Sequence, residues 1–163
     1  ELNDMRFSYP LQQVGVEDKA LVKAYSDDFF AEIVYKKKTM PHAVEALEYL
    51  SSKYNLYILS NGFRELQEQK MRSAGVDKYF KKVVLSEDIG VHKPFPEIFY
   101  FAMSATQSEL HTSLMIGDNW ENDIAGAKDA GLGQVFYNVK KTTKFSFQPT
   151  GIIEDWNEIG KIL

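Results

Sequence analysis

The alternation of two sequence patterns from about residue 42 onward limits the fold more than any other feature of this chain. Short apolar runs typical of buried strands alternate with segments whose apolar residues recur at helical spacing. The strand candidates are residues 54–59, 83–85, 113–116 and 134–137, and the helix candidates are residues 42–53, 63–74, 97–105 and 155–163. Because parallel strands are joined by crossover helices, the alternation predicts an α/β fold, in which helices cover both faces of a parallel sheet.

The start of the chain follows a different pattern. Residues 1–13 and 17–34 favour two helices, and both segments are rich in aromatic residues. Each of two such helices has one face to bury, so the pair needs a further surface to pack on. We therefore expect two parts, a small helical unit of residues 1–39 and an α/β core of residues 40–163.

The composition narrows the classes of function. The 163 residues carry a net charge of −4, which argues against nucleic acid as the main partner. There is no cysteine, so disulfides and thiolate chemistry are excluded. No apolar run approaches the length of a membrane span, and the first residues are unlike a secretion signal. The expectation is a cytoplasmic protein without a membrane partner.

Two carboxylates flank a predicted strand-to-helix turn. Asp118 lies where the strand 113–116 ends. Asp123 stands at the start of the next helix, where either it or Asn122 would cap the first turn. Ligands of open α/β sheets bind at the carboxyl ends of strands, and oxygen ligands suit a hard cation such as Mg²⁺. Aspartates also cap helices without any ligand, so this pair alone fits both interpretations.

Further polar groups are expected at the same edge of the sheet. Ser60, Asn61 and Gly62 follow the strand 54–59, and Lys93 precedes a helix. A hydroxyl, backbone N–H groups, a lysine and a carboxylate pair that suits Mg²⁺ are what a phosphoryl group needs, because its transfer depends on positioning and charge neutralisation. Each residue also has an ordinary role, since Ser-Asn-Gly forms turns and an isolated lysine is usually solvated. Their order and common edge favour the phosphoryl interpretation.

On these residues the chain resembles the haloacid dehalogenase superfamily, most of whose members are Mg²⁺-dependent phosphatases that form an aspartyl-phosphate intermediate. The segment Leu59–Gly62 matches the second motif of that family, and Lys93 within His-Lys-Pro matches the third. Gly-Asp118 with Asp123 matches the fourth. The resemblance implies a Rossmann-like sheet and a partial helical cap at the N-terminus. The overall pattern is similar to that of nucleotide monophosphatases with such a cap.

The resemblance also implies roles for individual residues. The phosphate-binding group would consist of Ser60, Asn61, Gly62 and Lys93. Asp118 and Asp123 would hold Mg²⁺, with Asp123 alternatively positioning Lys93 or a metal-bound water. Lys93, Ser60 and Asp123 would form the catalytic set. The implied substrate is a small phosphomonoester, with nucleoside monophosphates among the candidates.

One motif of the family is absent from this sequence. The first motif is a strand that ends in Asp-x-Asp, whose first Asp is the nucleophile, and no Asp-x-Asp occurs here. We therefore expect a C-terminal portion of a phosphatase that has no activity by itself. Two other hypotheses stay open. One is a non-catalytic remnant that binds Mg²⁺ or a partner, and the other is a phosphomutase or dehalogenase of the same superfamily.

The absent motif also affects the predicted sheet. In the family, the first strand lies between the strands that correspond here to residues 54–59 and 113–116. Without it, both neighbours would have unpaired backbone groups, which buried backbone rarely tolerates. We expect either that these two strands close up on one another or that two copies of the chain pair through their open edges.

Overall fold

The computed structural model describes residues 2–163, with side chains from residue 7 onward. Six α-helices and five strands are assigned within these residues. In chain order they are α1 (Leu2–Gln13), α2 (Lys19–Ile33), α3 (Ala43–Ser51), β1 (Tyr57–Ser60), α4 (Arg64–Ala74), β2 (Lys82–Leu85), α5 (Pro96–Thr106), β3 (Leu114–Gly117), α6 (Gly126–Ala130), β4 (Gly133–Tyr137) and β5 (Gly151–Ile153). A π-helical turn (Trp120–Ala125) precedes α6, and a 3-10 helix (Trp156–Lys161) lies near the end.

The strands form two parallel groups, which confirms the predicted α/β class. β1 pairs with β2, and β3, β4 and β5 pair in that order. Among the described strands, no ladder joins β1 to β3, so the expectation that these two would close up is wrong. The physical reason is the side chain of Lys93, whose Nζ donates to the Leu59 carbonyl of β1 and to Asp123 beyond β3. The predicted pairing of two copies through these edges stays a prediction.

Two apolar clusters pack the helices onto the sheet. The first contains the buried side chains Ala46, Leu50, Val135, Tyr137, Ile153 and Ile159. The second contains Ile98, Phe99, Ala127, Ala130 and Leu132. Leu56, next to β1, and Ile116 of β3 pack on the first cluster, whereas Leu59 and Met115 of the same two strands pack on the second. Both strand groups therefore belong to one layer that is interrupted between β1 and β3.

A close contact fixes the segment that carries Lys93. A Cβ added at Gly126, the first residue of α6, would lie 2.9 Å from the backbone of Pro94 and from the ring of Phe99. No larger residue fits there, so α6 packs directly on the residue after Lys93. This contact ties the lysine to the second apolar cluster.

The two N-terminal helices form as predicted, apart from residue 1, which lies outside the described residues. Asp18 caps α2 by accepting hydrogen bonds from the backbone of Ala20 and Leu21. The rings of Phe7 and Tyr25 stack at 6.3 Å, and Phe7 meets Phe29 edge-on at 5.5 Å. The two helices therefore meet through contacts between their aromatic rings. The division into a cap of residues 1–39 and a core stays a prediction.

The C-terminal region departs from the sequence-based expectation. The predicted helix over 155–163 is a 3-10 helix (Trp156–Lys161), and the strand β5 was not predicted. Asp155 and Glu158 close the first turn of this helix as a capping box. The three residues of β5 form too short a run to be distinguished from a loop by periodicity. No helix within residues 2–163 combines the length and apolarity that crossing a membrane requires.

Candidate active site

A buried ion pair lies at the carboxyl end of β1. Lys93 Nζ donates to Asp123 Oδ1 at 2.6 Å and to the carbonyl of Leu59 at 2.8 Å. The lysine side chain is 10% exposed and the aspartate side chain 8%. A buried ion pair is favourable only when further hydrogen bonds satisfy both charges, and here the Leu59 carbonyl serves the ammonium. The lysine is thereby fixed between the edges of β1 and β3.

The second oxygen of Asp123 is fixed by the turn that precedes it. Asp123 Oδ2 accepts a hydrogen bond from the backbone N–H of Asn119 at 3.1 Å. A Cβ at Gly117 would lie 2.4 Å from Asp123, so only glycine leaves room for the carboxylate there. Both carboxylate oxygens therefore already accept a hydrogen bond from a described residue.

The helix cap differs from the prediction. The side chain of Asn119 caps the π-helical turn by accepting from the N–H of Asn122 at 2.8 Å. The prediction that Asn122 or Asp123 would be the cap is wrong. The wide turn begins earlier than periodicity indicates, and this places Asp123 inside it with its side chain directed to Lys93. Trp120 anchors the same turn against the rings of Phe136 and Phe145.

Asn61 joins the two parts of the predicted phosphate-binding set, the loop after β1 and the segment that carries Lys93. Its Oδ1 accepts from the backbone N–H of Lys93 at 2.8 Å, and its Nδ2 donates to the Lys93 carbonyl at 3.0 Å. The side-chain amide thus pairs with the backbone of Lys93 as a neighbouring strand would. Asn61 therefore ties the loop after β1 to the loop before α5, in addition to the bond from Lys93 Nζ to the Leu59 carbonyl.

Ser60 ends β1 with its hydroxyl already engaged. Its Oγ accepts hydrogen bonds from the backbone N–H of Gly62 at 3.0 Å and from Nε2 of Gln67 at 2.6 Å. Gln67 was not predicted as part of the site. The available signal was a polar residue on the side of α4 that also carries Met71, four residues later.

Asp118 is the exposed carboxylate of the site. It lies just beyond β3, and its negative charge is the smallest of three causes that raise the pKa of Tyr137, after burial of the phenol and the charge of Asp155. Within the described part of the chain, no group of three or more His, Asp or Glu side chains is arranged to hold a metal ion. Of the two predicted metal ligands, Asp118 alone has no hydrogen bond among the contacts assigned to residues 2–163. Asp118 is therefore the open carboxylate of this predicted pair.

The arrangement combines a fixed cation, a fixed hydroxyl and an open carboxylate at one edge of the sheet. These groups follow one another in the chain in the order that the sequence predicted for a phosphoryl site. A family model described as haloacid dehalogenase-like hydrolase matches residues 8–131. The chain belongs to this family.

Several relatives extend the match beyond the family model. The chain is 32% identical over 157 residues to pyrimidine 5'-nucleotidase YjjG of Escherichia coli, covering 96% of this chain and 66% of that protein. It is 29% identical over 141 residues to glyceraldehyde 3-phosphate phosphatase of Methanothermobacter thermautotrophicus, covering 85% and 62%. The chain therefore spans at most about two thirds of the length of these haloacid dehalogenase-like relatives.

A solved structure of this family matches the fold closely. The crystal structure of YfnB from Bacillus subtilis, bound to magnesium, superposes with a TM-score of 0.87 at 28% identity. The match covers 98% of this chain and 69% of that one. The parallel α/β architecture with its N-terminal helices is thus the architecture of a haloacid dehalogenase-like hydrolase.

Proposed function

We propose that the whole protein is a Mg²⁺-dependent phosphatase that hydrolyses a small phosphomonoester through an aspartyl-phosphate intermediate. The observation that carries the proposal is the buried ammonium of Lys93, held by Asp123 and Leu59 beside the loop of Ser60 and Asn61. A cation fixed before the substrate arrives costs no reorganisation when negative charge develops in the transition state.

Four residues of the candidate site have a defined part in the proposed reaction. Lys93 neutralises charge on the phosphoryl oxygens, and Asp123 keeps the ammonium in place. Ser60 donates its hydroxyl to a second phosphoryl oxygen. Asn61, whose amide is bonded to the Lys93 backbone, sets the distance between the hydroxyl and the ammonium. These are positioning and charge effects, which dominate phosphoryl transfer.

The donors fit Mg²⁺ with Asp118 as the direct ligand. Mg²⁺ usually keeps several waters and binds through one or two carboxylates plus substrate phosphate, so one open carboxylate from this chain is a sufficient share. Bound there, the ion would neutralise phosphate charge and orient the phosphoryl group. Because both oxygens of Asp123 already accept hydrogen bonds, we assign Asp123 to positioning Lys93 rather than to direct coordination.

The nucleophile is expected from a segment outside these residues. No Asp-x-Asp occurs in the 163 residues, and the groups that are present can bind a phosphate but cannot attack it. We propose that a strand of the whole protein ends in Asp-x-Asp and lies between β1 and β3. The unpaired edges of these two strands support this position.

The substrate class rests on the relatives. One of them is a pyrimidine nucleotidase and another a glyceraldehyde 3-phosphate phosphatase. The substrates in these names differ in the alcohol part and share a phosphomonoester. We therefore propose a small phosphomonoester, with nucleoside monophosphates among the first to test.

Activity measurements test the proposal directly. The 163-residue chain should hydrolyse neither p-nitrophenyl phosphate nor nucleoside monophosphates in the presence of Mg²⁺, because it lacks the nucleophile. Adding an N-terminal segment that ends its first strand in Asp-x-Asp should create the activity, and changing the first Asp to Asn should abolish it. Ser60→Ala and Asp118→Ala versions exclude a contaminating phosphatase. Activity of the chain alone that both substitutions remove would contradict the proposed mechanism. No activity after the addition would favour the non-catalytic alternative.

The metal assignment has its own test. Asp118→Asn in the extended protein should weaken Mg²⁺ binding at least about tenfold, because a charged direct ligand is lost. The matched control is Asp129→Asn, an exposed aspartate on α6 beyond the turn. Mg²⁺ titration followed by calorimetry separates the two, and equal effects would refute Asp118 as the ligand.

A further inference from the structure

We infer that Gln67 is a positioning residue that fixes the direction in which the Ser60 hydroxyl donates its proton. The inference deepens the proposed function and rests on it, since it concerns the hydroxyl that would meet the phosphoryl group. It starts from two hydrogen bonds to a single oxygen atom.

A serine hydroxyl has one proton to donate and two lone pairs that accept. At Ser60, the backbone N–H of Gly62 donates to one lone pair at 3.0 Å, and Nε2 of Gln67 donates to the other at 2.6 Å. With both acceptor positions taken, the only remaining capacity of this oxygen is to donate its own proton. An incoming anion therefore meets a hydroxyl that is already oriented as a donor.

The glycine at position 62 is explained by the same contact. A Cβ there would lie 2.6 Å from Nε2 of Gln67 and 3.1 Å from its Cδ and Cγ. The backbone of Gly62 is not in the left-handed region that favours glycine, so the residue is needed for space rather than for its conformation. Gln67 thus passes directly over Gly62 to reach Ser60, and the loop and the side chain fit as a pair.

The start of α4 holds the glutamine in place. The backbone N–H of Gln67 donates to the Phe63 carbonyl at 2.9 Å, which closes the first turn of the helix. The amide therefore extends from a fixed backbone position, and its reach to Ser60 does not depend on a mobile loop. An ordinary packing role would require its volume alone. The positioning role requires its N–H donor.

Two substitutions separate these roles. Gln67→Met keeps the volume and removes the donor, and Gln67→Glu keeps the shape but presents an acceptor that takes the Ser60 proton. The probe is inorganic phosphate, titrated into the 163-residue chain and followed by NMR. We expect Gln67→Met to weaken phosphate binding about threefold and Gln67→Glu at least about tenfold, as for a lost hydrogen bond to a charged group. Gln69→Glu, the same change at an exposed position two residues along α4, should stay within about twofold of the parent chain because that side chain is solvated.

A double substitution excludes a simple charge effect. In a Ser60→Ala background there is no proton for Glu at position 67 to take, so Gln67→Glu should then weaken phosphate binding much less than it does in the parent chain. An equal weakening in both backgrounds would mean that the new charge repels phosphate, and would overturn the inference. Binding by Gln67→Glu within about twofold of the parent chain would overturn it as well.

A measurement without phosphate distinguishes this inference from the proposed function. The side-chain amide protons of Gln67 should exchange slowly with water in the free chain, and Ser60→Ala should abolish that protection. Unprotected Gln67 protons in the free chain, or protection that persists in Ser60→Ala, would refute the hydrogen bond. A chain with protected Gln67 protons that binds no phosphate would leave the positioning contact intact and contradict the phosphate site itself.

Discussion

β4 and the two strands β1 and β3 have comparably apolar sequences and very different burial. β4 lies between β3 and β5, and four of its five residues are buried. β1 and β3 each have one strand neighbour in the described sheet, and every residue in them is half-buried. Ile58 and Ile116 are as apolar as Val135, so the difference arises from the strands and helices that pack around each strand and not from its residue types.

The candidate site lies beside the half-buried strands and not beside the buried one. Ser60, Asp118 and Asp123 lie at the ends of β1 and β3 or in the turns that follow them, next to half-buried strands. Lys93 reaches the same edge from the loop before α5. β4 and β5 carry none of the predicted site residues and supply the first apolar cluster instead. Rigid packing on one side of the molecule thus supports accessible groups on the other, which is how binding residues are commonly placed.

The largest expected effect tests whether a leucine contributes to stability according to its burial. Leu85 of β2 is fully buried, whereas Leu59 of the adjacent β1 is half-buried. Leu85→Ala should lower the free energy of unfolding by about 4 kcal/mol, and Leu59→Ala by about half as much, because less apolar surface and a smaller cavity are involved. Urea denaturation followed by circular dichroism measures both. Equal losses would remove the basis of the comparison. In a whole protein with a further strand beside β1, the Leu59→Ala loss should rise toward that of Leu85→Ala.

The next effect concerns the side chain that lies between the two edges. Lys93→Met should cost about 3 kcal/mol, because the nearly buried Asp123 would lose the partner of its charge. The control is Lys36→Met, which removes the exposed pair with Glu32 and should change stability by less than about 0.5 kcal/mol. Urea denaturation of both variants gives the difference. Equal effects would mean that the open edges are not held together by this lysine.

A smaller effect compares the glycines of a half-buried and a buried strand. Gly117→Ala in β3 should destabilise the chain by about 2 kcal/mol, since the new Cβ would lie 2.4 Å from Asp123. Gly133→Ala in β4 meets its nearest atom, in Leu114, at 3.4 Å and should cost less than about 1 kcal/mol. Thermal unfolding distinguishes the two variants. A Gly117→Ala variant as stable as Gly133→Ala would show that Asp123 can move away freely.

The smallest effect concerns the loss of stability in acid that arises from Asp88, after β2, and Asp155, after β5. The backbone N–H of Leu85 lowers the pKa of Asp88, and the backbone N–H of Asn157, with a lesser contribution from His42, lowers the pKa of Asp155. A lowered pKa contributes stability that is present above the unfolded value, about 3.9, and is lost as the pH falls through the lower folded value. Asp88→Asn and Asp155→Asn should therefore flatten the fall of the unfolding free energy below about pH 4.

Unfolding curves at several pH values measure that slope. His42→Ala should reduce it less than Asp155→Asn does, because the Asn157 N–H is the larger cause. A slope that neither aspartate changes would place acid sensitivity at the half-buried edges instead. The half-buried strands would then differ from the buried ones in acid sensitivity as well as in burial.

Much of the fold could be predicted from sequence because its elements have clear periods. α5 and β3 lie within a residue or two of their predicted bounds, since both are long or apolar enough to show one pattern. The π-helical turn could not be predicted, because its extra residue leaves no mark in the hydrophobic spacing. The lack of pairing between β1 and β3 depends on a lysine whose position is set by distant contacts.

Part of the candidate site could also be predicted from the sequence. Ser60, Lys93 and Asp123 were expected together because strand ends share one edge of a parallel sheet, and the structure brings Lys93 and Asp123 to 2.6 Å. Gln67 and Asn119 were not expected, because their roles depend on hydrogen bonds that cross a loop or close a turn. Sequence spacing indicates which residues share an edge. It does not indicate which of them support the others.

The wide turn at Trp120–Ala125 makes the position of Asp123 depend on the number of residues as well as on their types. The N–H groups of Asp123 and Ile124 both bond to the Asn119 carbonyl, at 2.9 and 3.4 Å, so the turn holds one residue more than an α-helical turn. Deleting the exposed Glu121 would let the segment become α-helical and would leave Asp123 three residues after Asn119 instead of four, so its side chain would lose the geometry that serves both the Asn119 N–H and Lys93. We expect such a deletion to match Asp123→Ala in unfolding free energy. Insertions and deletions in this turn should therefore be selected against as strongly as changes of the aspartate itself.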